Sequence, residues 1–101
     1  MAVYQVAIVK ITHRTPDFAE YVKKSAALLA KYGGEYIVRG PSESILDGEY
    51  LAGRAMVISK WPSLEKAKEF WNSEEYQKNV KPLRDGAGVF DIGLYPEAPP
   101  A

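Results

Sequence analysis

The sequence predicts an α+β domain of β-α-β-β-α-β order, a ferredoxin-like protomer with a four-stranded antiparallel sheet and two helices on one face. Three observations carry this. A long apolar strand followed by an amphipathic helix occurs twice, with about half of the 101 residues in each copy. Each copy closes on a second strand-like run, residues 35–39 and then 89–95. Capping and breaking residues stand at the joints: Thr15-Pro16-Asp17, Gly33-Gly34, Gly40-Pro41 and Pro62-Ser63.

The first strand, Val3–Ile11, alternates, yet both of its faces are largely apolar. Tyr4, Val6 and Ile8 point one way; Val3, Ala7, Val9 and Ile11 point the other. A strand covered on one side carries polar residues on the other. Two helices cover one side of a sheet, so the second cover is expected to be another copy of the chain. Thr15-Pro16-Asp17 then opens a helix over residues 17–32, with a hydroxyl cap, proline at the first helical position and an acid in the first turn. Phe18, Tyr21, Val22, Ser25 and Leu29 make its apolar stripe. Gly33-Gly34 stops it, because glycine takes the left-handed cap conformation at little cost.

Residues 36–39 read as a short strand that Gly40-Pro41 breaks. A brief extra strand is expected over residues 44–46, with Asp47-Gly48 as a hairpin turn. The second long strand is expected over residues 52–61, placing Arg54 on one face with Met56, Ile58 and Lys60. Ser63 caps the next helix, whose buried side is Leu64, Ala67, Phe70 and Trp71. Asn72-Ser73 reads as a break and a second cap, Tyr76 and Val80 share a face, and Pro82 ends or kinks the piece. Gly86 and Gly88 bracket a turn before the last strand, whose apolar set is Phe90, Ile92 and Leu94. One domain over residues 1–95 is expected, with 96–101 a flexible tail.

Thirteen basic and thirteen acidic residues cancel, which gives no support for nucleic-acid or anionic-membrane binding. With no cysteine there is no disulfide, thiol nucleophile or thiolate metal site. The N-terminus lacks the pattern of a secretory signal, and no apolar run approaches the roughly 20 residues of a membrane span. A cytoplasmic protein is expected. Walker, G-x-G-x-x-G, G-x-S-x-G, H-E-x-x-H and CxxC patterns are all missing, so no nucleotide, flavin, metal or other cofactor is expected.

Taken together, Tyr32-Gly33-Gly34, Arg39-Gly40, Leu46-Asp47-Gly48, Arg54, Trp61-Pro62-Ser63, Phe70-Trp71-Asn72-Ser73, Glu75-Tyr76-Gln77 and Arg84 resemble the domain of unknown function 1330 family, within the dimeric α+β barrel superfamily. The resemblance runs over about residues 4 to 95. It implies a ferredoxin-like protomer whose sheet pairs face to face with its twin, and it implies no particular reaction. Relatives usually carry an aspartate after the first strand; here Thr12-His13 stands there. The wider superfamily includes cofactor-free monooxygenases, small-ring isomerases and haem-handling proteins, and fold does not fix function.

His13, the only histidine, is the candidate catalytic residue, as a general base. The alternative is a polar residue of the loop before a capped helix. Arg54, on an apolar strand face, needs a partner. That partner is either a ligand carboxylate or enolate, or a protein group such as Asp91, Glu49 or a residue of a second subunit. Arg84 either closes a pocket from the helix side or complements a helix C-terminus. Tyr21, Tyr36, Trp71 and Tyr76 either line a cavity between sheet and helices or serve packing. Three functions follow: a homodimer binding a small organic molecule, anionic if Arg54 and Arg84 anchor it; a cofactor-independent enzyme, monooxygenase- or isomerase-like, on a small metabolite; or a purely structural dimerisation module.

Overall fold

The computed structural model describes residues 1–100; Ala101, the last residue of the expected tail, lies outside the described residues. Four strands, β1 (Val3–Ile11), β2 (Glu35–Pro41), β3 (Ala55–Trp61) and β4 (Gly88–Pro96), form one antiparallel sheet in the order β2-β3-β1-β4. Two α-helices, α1 (Pro16–Lys31) and α2 (Leu64–Asn72), pack on one face, which is the ferredoxin-like arrangement.

The caps work as the residue types dictate. Thr15 Oγ1 accepts from the Phe18 amide at 3.0 Å and Ser63 Oγ from the Lys66 amide at 3.2 Å. Gly34 ends the turn after α1 because a Cβ there would sit 2.8 Å from both Leu29 and Trp61. After α2 the chain departs from α-geometry. Ser73 is extended, and its hydroxyl donates to the Phe70 carbonyl and accepts from the Tyr76 amide. A π-helical turn, Glu75–Val80, and a 3-10 turn, Lys81–Arg84, follow. Pro82, having no amide hydrogen, ends the wide turn as expected.

The core lies between sheet and helices, where Leu28, Leu29, Trp61, Ala67, Phe70, Tyr76 and Val80 are buried together. Tyr76 and Val80, four apart, are each 1% exposed. Leu64, expected on the buried side of α2, is 43% exposed: as the first helical residue it points past the edge of the core. Strand pairing puts Tyr4, Val6 and Ile8 on the opposite face of the sheet, with Lys60, Ile58 and Met56 beside them on β3 and Tyr95 and Asp91 on β4. Val38 joins that face opposite Ile58. No other element covers it: Val38 and Tyr95 are 44% and 57% exposed.

Two sequence expectations are corrected in the β2–β3 connection. Residues 44–46 form no strand; they belong to an irregular loop in which Ile45 and Leu46 are exposed and which pairs with no strand. The second long strand starts at Ala55, not at residue 52, because residues 50–53 form turns, with the Ala52 amide bonded to the Glu49 carbonyl and Arg54 N to the Leu51 carbonyl. Arg54 therefore precedes the strand. Residues 97–100 are exposed and without regular structure, apart from a Glu97 amide bond to the Ala2 carbonyl.

Candidate functional site

The helix-side face of the sheet does not close completely on α1. Gln5, Ala7, Val9 and Ile11 of β1, Ala55, Val57 and Ser59 of β3, and Phe90 and Ile92 of β4 floor a cavity of about 330 Å³. The predicted stripe of α1, Phe18, Tyr21, Val22, Ser25 and Leu29, roofs it. Tyr36 and Arg39 of β2, Phe70, Tyr76 and Arg14 complete the wall. The sequence feature that builds it is the parity of β1 and β3, whose Ala7, Val9, Ile11, Ala55, Val57 and Ser59 share this face and, being small or aliphatic, leave space beneath the aromatics of α1.

Aromatic rings dominate one side. Phe18, Tyr21 and Phe90 lie with centroids 6.0–6.3 Å apart. Phe70, Tyr76 and Trp71 continue the cluster at 4.8 and 5.1 Å. The polar groups of the lining are the hydroxyls of Tyr21, Ser25, Tyr36, Ser59 and Tyr76, together with Gln5, Arg14 and Arg39. The Tyr21 and Tyr76 hydroxyls are 3.1 Å apart, and Ser59 Oγ accepts from Trp61 Nε1 at 2.9 Å. Burial pushes the Tyr76 phenol well above the ordinary tyrosine value; the neighbouring Tyr21 adds to this and Arg84 partly offsets it. Tyr36 is also raised by burial, against the pull of Ser25 and Arg39. Both phenols therefore stay protonated at neutral pH.

Arg84 stands directly behind this wall. Its guanidinium carbon is 4.5 Å from the Phe90 ring centroid, 5.8 Å from Tyr21 and 5.9 Å from Trp71. Nη1 is buried and has no hydrogen-bond partner. A buried guanidinium nitrogen without an acceptor is uncommon, because its desolvation goes uncompensated.

The candidate residues thus separate. Tyr21, Tyr36 and Tyr76 line the cavity, while Arg84 and Trp71 back the aromatic wall. Arg54 lies outside the cavity: Nη1 donates to the Tyr50 carbonyl, and the guanidinium sits 4.1 Å from the Tyr50 ring centroid. Its partner is thus neither Asp91 nor Glu49 but the loop residue four positions before it. His13 is exposed and does not line the cavity, although its neighbour Arg14 does; its Nδ1 is 3.1 Å from Thr12 Oγ1 and its amide is bonded to the Ala87 carbonyl.

Arg14, Arg39, Ser25 and Phe90 line the cavity without having been singled out as site residues by the sequence. For Arg39 the reason is a bulge: pairing slips between Tyr36 and Val38, so that Tyr36 opposite Ser59 and Arg39 opposite Val57 share the inner face. Strict alternation would have put them on opposite faces. Among the described residues no cluster of histidine, cysteine or carboxylates has the makings of a metal site, and no helix is long and apolar enough to cross a membrane.

Comparison with known proteins gives a fold and a family. A protein of unknown function from Rhodopseudomonas palustris is similar at a TM-score of 0.74 and 18% identity, covering 97% of this chain and 84% of that one. SnoaB, a cofactor-independent oxygenase from Streptomyces nogalater, is similar at a TM-score of 0.66 and 14% identity, over 98% and 95% of the two chains. A conserved protein from Methanosarcina mazei reaches 0.59 at 14% identity, over 97% and 94%. At these identities the likeness concerns the fold. No curated protein matches the chain. The sequence itself matches a family described as "Domain of unknown function" (DUF1330) over residues 2–96, so nearly the whole chain is covered, and it belongs to that family.

Proposed function

We propose that the protein is a homodimer that binds a small, largely apolar organic molecule in the cavity between sheet and helices. The observation that carries the reading is the cavity itself: about 330 Å³, walled by aromatic and aliphatic side chains, with tyrosine and serine hydroxyls in its lining and the Tyr21 and Tyr76 hydroxyls in contact. That composition and size suit a ligand of one or two rings bearing an oxygen function. A module whose only task is dimerisation gains nothing from such a space, since an unfilled cavity costs packing energy.

The dimer half of the reading rests on the uncovered sheet face, where Val6, Ile8, Met56 and Ile58 form a contiguous apolar set. Soluble chains rarely leave such a patch open, and a two-fold contact of the face with its own copy is the commonest solution. Light scattering at low micromolar concentration is expected to give twice the protomer mass, and the protomer mass for Ile58→Lys. A monomeric wild type refutes this half.

For the ligand, a panel of small aromatic and alicyclic compounds is screened by thermal shift against the wild type and Val22→Trp. Val22 lines the cavity and is 41% exposed, so tryptophan is accommodated there without displacing the core and obstructs the space. A ligand at 100 times its Kd adds about 2.7 kcal/mol of stability, about 10 °C for a domain of this size. Stabilisation by no compound, or equal stabilisation of the plugged variant, removes the reading.

A second reading, cofactor-independent chemistry on the bound molecule, draws support from the likeness in fold to the oxygenase SnoaB. The groups at hand for it are the Tyr21–Tyr76 hydroxyl pair and Arg84 behind it, rather than the exposed His13. Dioxygen uptake with a bound phenolic compound, lost in Tyr76→Phe, supports chemistry; no uptake with any bound compound leaves binding as the function.

A further inference from the structure

Arg14 and Arg39 line the cavity and are both exposed, whereas Ser59, Phe70 and Tyr76 at its inner end are each 2% exposed or less. The two arginines therefore mark the opening. Arg14 comes from the loop that leads into α1 and Arg39 from β2, so they approach the mouth from different elements. Neither has a carboxylate partner: among the described residues the ion pairs are Lys66–Glu69 and Lys78–Glu74, both on the helical surface. Arg39 rests instead on the Tyr36 ring, 4.8 Å from its centroid. No aspartate or glutamate lines the cavity, although the chain as a whole has as many acids as bases. A mouth with two unpaired guanidinium groups and no acid is a local positive field on a neutral protein.

We infer that the cavity selects amphipathic organic anions, with an aromatic or alicyclic body held inside and a single carboxylate at the mouth, where Arg14 and Arg39 stand. The inference rests on the cavity-binding reading above and adds the charge and orientation of the ligand. The guanidinium pair suits a carboxylate because each presents paired N–H donors at fixed geometry. The aliphatic and aromatic lining takes the ring body. The protonated phenol of Tyr76 at the inner end donates to an oxygen at the far end of the ligand.

The test uses 1-naphthoate and its neutral isostere 1-naphthamide, titrated calorimetrically into the wild type, Arg14→Gln/Arg39→Gln, Arg54→Gln and Val22→Trp at low and high salt. Both arginines are exposed, so the double variant keeps its fold. Naphthoate is expected to bind at least tenfold more tightly than the amide at low salt, with the ratio shrinking as salt screens the mouth. The preference is expected to fall to about one in the double variant, to persist in Arg54→Gln, and all binding to be lost in Val22→Trp. Equal binding of acid and amide by the wild type, both blocked in Val22→Trp, overturns the charge selection and leaves the cavity reading standing. An acid preference that survives in the double variant also overturns it. Binding of neither compound, or binding that Val22→Trp does not block, sinks the cavity reading and this inference with it.

Discussion

Tyr76→Phe removes one oxygen atom from the centre of the site, and its consequence changes sign with pH. Tyr76 is 1% exposed, and its hydroxyl meets Tyr21 at 3.1 Å. At neutral pH the variant loses one largely buried hydrogen bond, worth about 1 kcal/mol. For a domain of this length that lowers Tm by about 4 °C or more. At high pH the same hydroxyl is a liability. Burial, with Tyr21 adding to it, raises the folded pKa far above the ordinary value. The unfolded chain releases this proton from about pH 10 upward while the folded chain keeps it. The unfolded state then binds fewer protons, so stability falls with rising pH, at up to about 1.4 kcal/mol per unit. The stabilising share of this group is complete below pH 10 and is lost through the window that ends at its folded pKa.

Phenylalanine has no proton to lose, and Tyr36, raised in both proteins, cancels in the comparison. Wild type should exceed the variant by about 1 kcal/mol at pH 7 and trail or equal it near pH 11, where the linkage loss reaches about 1.4 kcal/mol. Urea titrations followed by fluorescence of Trp61 and Trp71 at pH 7, 9, 10 and 11 measure this, at one fixed protein concentration because association would shift the midpoint. A stability difference that stays constant from pH 7 to 11 refutes the assignment of Tyr76 as a phenol held neutral by burial.

Two further outcomes are expected. Gly88→Ala places a Cβ 2.0 Å from the Lys10 carbonyl oxygen, a backbone atom of the paired strand, so β4 must shift against β1; a loss of about 2 kcal/mol or more in urea denaturation is expected, and a loss under 0.5 kcal/mol would contradict the pairing of Gly88 with Ile11. Arg84→Met keeps the stem and removes both the ring contacts and the unpartnered Nη1; the lost cation–π energy of about 1 kcal/mol is offset by relief of a buried donor worth about 1–3 kcal/mol, so apo stability is expected to hold or rise. A loss above 2 kcal/mol would make Arg84 a structural anchor with a partner yet to be found.

Most of the fold was legible because its signals are local. Thr15 and Ser63 cap the helices that their hydroxyls announce, and the alternation in Val3–Ile11 fixed both faces of β1. The lining residues of α1 are the five of its predicted stripe. What misled is what depends on pairing. Arg54 looked like a strand residue because residues 52–61 alternate, but the alternation continues into turns that β2 does not reach. Residues 44–46 have apolar side chains suited to a strand but pair with no strand, and composition alone does not supply that pairing. Leu64 is apolar and at helical spacing, yet it sits at the exposed end of its helix.

The arginines make the same point about function. Three of them sit beside aromatic rings, and their local sequence does not rank them: Arg54 beside Tyr50, Arg39 beside Tyr36, Arg84 between Phe90, Tyr21 and Trp71. Arg54 is satisfied by the Tyr50 carbonyl, so removing it costs a loop contact and nothing at the cavity. Arg84 is half-buried and lacks a partner for its buried Nη1, yet it does not line the cavity and meets it only through the Tyr21 and Phe90 rings. Arg39 reaches the mouth because one extra residue at position 37 turns it inward. A single bulge thus decides which cation meets whatever enters the cavity. Deleting Ile37 would leave Tyr36, Val38 and Arg39 in plain alternation opposite Ser59, Ile58 and Val57, so Arg39 is expected to stay at the mouth, whereas drawing Ile37 into the pairing would turn Arg39 to the outer face.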